Sequence, residues 1–229
     1  GDSLAPPPPP PPPRLPPNAA PPPPPAALAC EELEQLLAVL NGLIYTEQHA
    51  ASAVLSACGL AWLVEVLRPH RALPAELHVL AVHALLNLTC SRDKLLQEEA
   101  RALGLVALLA KTLVRLSGEE VSLGQLDDTA AEGEAAAACY FLLLNLLLNN
   151  AAAAADLVEC DDADAVLSLL TGHCTPPPDA TEELALAYAP ARQPAAECFL
   201  QLCNQPTTQA ALLARDAAAT LRALAQSSL

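Results

Sequence analysis

Residues 59–104 read GLAWLVEVLRPHRALPAELHVLAVHALLNLTCSRDKLLQEEARALG. The apolar positions recur every three to four residues, the spacing that gives a helix one buried face. The stretch predicts a short helix over Leu60–Leu67, then a turn containing Pro69. A second helix is expected from near Pro74, because the first turn of a helix has spare amides and tolerates proline. A third is expected to carry Ala84-Leu85-Leu86-Asn87-Leu88 and to end at Gly104.

Working outward, the same unit recurs. A small or acidic residue opens an apolar helix at Gly59, Gly104, Asp162 and Asp216, at intervals of 45, 58 and 54 residues. An amide side chain embedded in a hydrophobic helix lies fifteen to eighteen residues before each opening, at Asn41, Asn87, Asn145 and Gln201. Those four are 46, 58 and 56 apart and keep the rhythm of the openings. Repeats of this length mean stacked units, none of which can bury its apolar faces alone.

The unit 59–104 resembles an armadillo repeat, whose pattern looks like G-x-x-x-L-V-x-L-L … A-L-x-N-L … G. Gly59, Leu63, Val64, Leu67, Ala84, Leu85, Asn87, Leu88 and Gly104 match it. The resemblance extends over about 30–226 and implies an all-α, right-handed α-solenoid of about four armadillo-like repeats; HEAT-like helix pairs are the alternative. Residues 117–134 and 172–194, acidic and proline-rich respectively, read as insertions that lengthen the later periods. In the family, the equivalent Asn of the third helix often lines a concave groove and pairs with the backbone of an extended peptide. An amide can do this because it offers both a donor and an acceptor. The alternative is that each amide bonds within the repeats, since a buried amide needs partners. One turn before the four landmarks stand Leu37, His83, Phe141 and Glu197. Nuclear-import receptors of similar fold carry Trp there, so binding of nuclear-import signals is disfavoured. The candidate protein-binding residues are Asn41, His83, Asn87, Phe141, Asn145 and Gln201.

Composition agrees with helices. Of the 229 residues 53% are hydrophobic but only 3% aromatic, so Ala and Leu carry the core and strand formers are scarce. The net charge of −15 excludes a nucleic-acid face, which needs clustered Lys and Arg, and favours basic partners. Eight cysteines form no Cys-x-x-Cys pair and lie mostly in apolar stretches, as reduced thiols acting as small hydrophobes in a reducing compartment. No membrane span is expected: the most apolar stretch, Ala135–Ala155, contains three asparagines and reads as a buried helix. A chain that starts Gly1-Asp2 and contains no Met reads as a fragment of something longer.

Ahead of the repeats, residues 1–29 form a non-globular segment in which fifteen of the first twenty-five residues are proline. Proline fixes φ and lacks an amide, so polyproline II is expected, with 6–25 reaching roughly 60 Å. Pro9, Pro12 and Arg14 fit a PxxPxR ligand for SH3 domains, and the eight-proline run suits a profilin-type groove; a stiff linker is the plainer reading.

Nothing in the sequence supports catalysis or a cofactor. The eight glycines form no phosphate-binding loop. His78 and His83 are five apart, on different helical faces, and Cys198 and Cys203 have no third ligand nearby, so no metal site is expected. The function expected is a non-catalytic protein-protein interaction scaffold, a structural subunit of a hetero-oligomeric complex. Its expected home is the cytoplasm, in a ciliary or cytoskeletal assembly, where such solenoids are frequent. The alternative is a signalling adaptor whose polyproline segment recruits SH3- or profilin-type domains.

Overall fold

The computed structural model describes residues 28–46, 59–68, 74–90, 94–118, 126–174, 189–214 and 221–222. Every element among them is a helix, so the protein is all-α. In chain order the helices are α1 (Cys30–Thr46), α2 (Gly59–Val66), α3 (Ala75–Thr89), α4 (Lys94–Ala102), α5 (Leu105–Gly118), α6 (Leu126–Leu147), α7 (Ala151–Glu159), α8 (Ala163–Cys174), α9 (Ala189–Cys203) and α10 (Pro206–Leu213). The proline-rich stretch, with Pro9, Pro12 and Arg14, lies outside the described residues, as does the opening at Asp216.

The most extensive packing joins α1 to α3, α3 to α6 and α6 to α9. These four are the helices that carry Asn41, Asn87, Asn145 and Gln201. The shorter helices bridge them: α2 packs on α3 and α4, α5 on α6, α7 and α8, and α10 on α7 and α9. One contiguous core results, with Leu37, Leu63, Leu85, Leu109, Leu142, Leu170 and Phe199 fully buried. Helix α6 is central. Ala135 to Cys139 and Tyr140 are all buried, more than a full turn covered by neighbouring helices.

Glycine is required at two of the openings. Gly59 and Gly104 have φ of +70° and +77°, where a β-carbon is strained. Gly104 ends α4 by donating to the Arg101 carbonyl at 2.9 Å, and its own carbonyl starts α5 by accepting from Leu108 at 3.1 Å. The opening at Asp162 needs no such conformation; its carbonyl accepts from Val166 at 2.9 Å in the first turn of α8.

Several sequence expectations shift. The helix starting after Pro74 itself carries Ala84–Asn87, and the break falls after Thr89, not before Ala84. Nothing between Ala75 and Thr89 interrupts the helix, whereas the Thr89 hydroxyl folds back on the Leu85 and Leu86 carbonyls at 2.9 and 3.2 Å. The expected third helix thus divides, and its later part is α4, which ends at Ala102. The apolar stretch 135–155 is two helices. Asn149 adopts φ 55°, and the Asn150 side chain accepts from the Ala153 amide at 3.0 Å, capping α7. No helix among the described residues is long and apolar enough to cross a membrane. The insertions narrow as well: 117–118 end α5, 126–134 begin α6, 172–174 end α8 and 189–194 begin α9. Pro190 sits in the first turn of α9, and Pro194 is buried inside it, where it forgoes the amide bond to the Pro190 carbonyl.

The described cysteines are all free thiols. Cys139, Cys174 and Cys198 are buried as small hydrophobes, and burial pushes Cys139 and Cys174 up to about 12. Cys30 and Cys90, at the ends of α1 and α3, are exposed instead.

Candidate functional site

The four landmark amides follow from helical register. Each sits on the flank of its helix between the buried stripe and solvent, so each is half-buried. Neighbouring landmark helices then bring the amides into pairs, and the two end pairs differ.

At the α1–α3 junction the amides serve the fold. Asn41 Nδ2 donates to the Leu37 carbonyl one turn back, at 3.1 Å, and across the junction to the Leu80 carbonyl at 2.8 Å. Its Oδ1 accepts from Asn87 Nδ2 at 3.2 Å. Both protons and the oxygen of Asn41 are spent inside the protein.

At the α6–α9 junction they are not. Asn145 and Gln201 line one pocket of about 200 Å³ together with Leu144, Leu148, Glu197 and Leu200. Neither amide side chain forms a hydrogen bond among the described residues. Leu200 and Phe141 are exposed at 44% and 40%, as are Val39, Leu43 and Tyr45 on α1. Glu197 accepts from Gln193 Nε2 at 2.9 Å and places a carboxylate at the rim.

The pocket has a firm frame. Gln97 is buried on α4, and its Nε2 donates to the Asn145 backbone carbonyl at 2.7 Å, satisfying one of the orphan acceptors at the end of α6. Asn150 Nδ2 donates to Glu98 at 3.1 Å. Arg101 joins Glu98 at 2.9 Å and Asp156 at 3.3 Å, tying α4 to α7 on the surface. Between α6 and α8 the Tyr140 hydroxyl and His173 Nδ1 share a 2.8 Å hydrogen bond, with their rings edge-on at 5.6 Å. The Cys198 thiol donates to the Tyr140 carbonyl at 3.1 Å. Burial lowers the pKa of His173.

Of the six sequence candidates, the structure joins Asn41 to Asn87 and gathers Asn145 and Gln201 around the pocket. His83 and Phe141 stand exposed one turn before Asn87 and Asn145, on the same helix faces. Leu37, the position matching His83 in α1, is fully buried. Sequence reasoning missed Gln97, whose partner lies 48 residues away. The available signal was a polar residue on the buried Leu96–Ala100 stripe of α4. Among the described residues no group of three or more His, Cys, Asp or Glu side chains is arranged to hold a metal ion. His78 is buried, with Nδ1 at 3.1 Å from the Pro74 carbonyl, while His83 faces solvent.

No family model, curated protein or solved structure matches the chain. Its function is therefore argued from this geometry.

Proposed function

We propose that the chain is a non-catalytic protein-binding scaffold with the architecture of a right-handed, armadillo-like α-solenoid of about four repeats, holding an extended segment of a partner protein across α6 and α9. The solenoid reading is supported by the contact order α1, α3, α6, α9 together with the recurrence of an amide on each of these helices. One observation carries the binding site: Asn145 and Gln201 line a common pocket with their amides unspent, beside exposed Phe141 and Leu200. Amides in that state pair with a peptide backbone whatever its side chains, and the leucines take an aliphatic side chain. Glu197 and the net charge of −15 favour a basic residue in that segment. Such a surface suits a subunit of a larger cytoplasmic assembly, of the ciliary or cytoskeletal kind.

The test is quantitative co-purification of the tagged full chain against its Asn145→Ala/Gln201→Ala variant and against a deletion of residues 1–25. The pocket reading requires that the double variant lose the main partner while its unfolding midpoint is unchanged. Retention of every partner by the double variant, with loss on the deletion, would instead make the proline-rich segment the ligand.

A further inference from the structure

A second pocket, of about 220 Å³, includes none of the landmark amides and is lined by Leu67, Leu108, Lys111, Thr112, Val114, Arg115 and Asp162. Its floor is one face of α5, since Leu108, Lys111, Thr112 and Arg115 follow the i, i+3, i+4, i+7 spacing that aligns side chains along a helix. The turn after α2 contributes Leu67, and the turn before α8 contributes Asp162. Thr112 is buried, and its hydroxyl is spent on the Leu108 carbonyl at 2.8 Å. The apolar walls and the two cations are what remain to meet a ligand.

Those two cations are set apart by sharing one apolar pocket. The chain has 11 Lys and Arg against 26 Asp and Glu, so cations here have an ample choice of partners. Arg68 takes Glu65 at 2.8 Å and Arg101 takes Glu98 and Asp156, while Lys94, Arg192 and Arg222 form no ion pair among the described residues. Lys111 and Arg115 form no ion pair among the described residues and lie one turn apart, where like charges repel. Asp162 is the single carboxylate among the lining residues and leaves the site with a positive excess. A cationic doublet beside an aliphatic cleft, on a strongly acidic protein, attracts anions locally while the surrounding field repels those that cannot make close contact.

We infer that this pocket binds an acidic, aliphatic peptide segment of a partner protein, its carboxylate on Lys111 and Arg115 and a leucine-like side chain between Leu67, Leu108 and Val114. Arg115 offers a planar fork that takes a carboxylate through two parallel hydrogen bonds, and Lys111 adds a point charge. The apolar walls select a peptide over a small inorganic anion, which gains nothing from them. The site is independent of Asn145 and Gln201, so a scaffold using both would hold segments of opposite charge on different sets of helices.

The experiment is fluorescence polarisation of the full chain with a labelled Glu-Leu-Glu-Leu peptide. Lys111→Gln and Arg115→Gln, singly and together, are expected to weaken the Kd, the pair by about tenfold or more. Asp162→Asn is expected to tighten it, Asn145→Ala to leave it unchanged, and salt raised to about 0.5 M to weaken it. Lys111 is exposed, so Lys111→Gln remains informative even where the Arg115 change disturbs packing. No binding of the peptide at millimolar protein, an affinity indifferent to both substitutions, or equal competition by inorganic phosphate and by unlabelled peptide would overturn the proposal.

Discussion

The α1–α3 and α6–α9 junctions use the same residue type in the same register to opposite ends. At the first, Asn41 spends both amide protons and its oxygen on Leu37, Leu80 and Asn87, and the amide is part of the packing. At the second, Asn145 and Gln201 face a pocket, and the bond that secures this part of α6 runs through the backbone, from Gln97 to the Asn145 carbonyl. An amide bonded at every atom fixes the spacing of two helices, while one left unspent at a half-buried site keeps its bonds for a ligand. The comparison separates a structural use of the landmark from a binding use within one molecule.

The largest test of that contrast is Asn41→Ala. It removes the hydrogen bonds that Asn41 makes with the Leu80 carbonyl and the Asn87 amide, and is expected to lower stability by about 1–3 kcal/mol in urea unfolding. A change too small to resolve would remove the structural role given to the first junction. A double-mutant cycle is the next sharpest measure. Asn41 and Asn87, each changed to Ala, should couple by at least about 0.5 kcal/mol, whereas Asn145 and Gln201 should be additive within about 0.3–0.5 kcal/mol. Acid should act on the second region through His173. Its pKa is lowered in the fold, so the unfolded chain binds the extra proton; stability is complete above the ordinary histidine pKa and falls as pH drops below it. Amide exchange near pH 5 should therefore open α6 and α8 around Tyr140 more than α1, which carries no histidine, and equal opening at both ends would contradict this. The smallest stability effect belongs to Gln201→Ala, expected within about 0.5 kcal/mol of the parent chain. Thermal unfolding checks it, and a large loss would show that the Gln201 amide is structural after all.

Much of the helical order could be read from periodicity and from two glycines. Gly59 and Gly104 open helices because the chain there needs positive φ, a local requirement that leaves its mark in a local residue. Asn149 and Asn150 carried the same kind of information, a left-handed residue followed by a cap, but the alanines around them masked it and the stretch read as one helix. The acidic run 126–134 has the charge of a loop, yet it starts the helix that becomes the centre of the core. The candidate site was legible only as four polar residues in apolar surroundings. Nothing local distinguishes Asn41 from Asn145.

The sequence by itself therefore determined the all-helical character, the helix openings at Gly59 and Gly104, and the recurrence of an amide on every landmark helix. These depend on residues within a turn or two of one another, where 3.6-residue periodicity and backbone strain operate. Only the tertiary structure decided which amides are spent and which are exposed to a partner. That choice rests on contacts such as Asn41 with Asn87 and Gln97 with Asn145, made across 46 and 48 residues and set by how the helices pack.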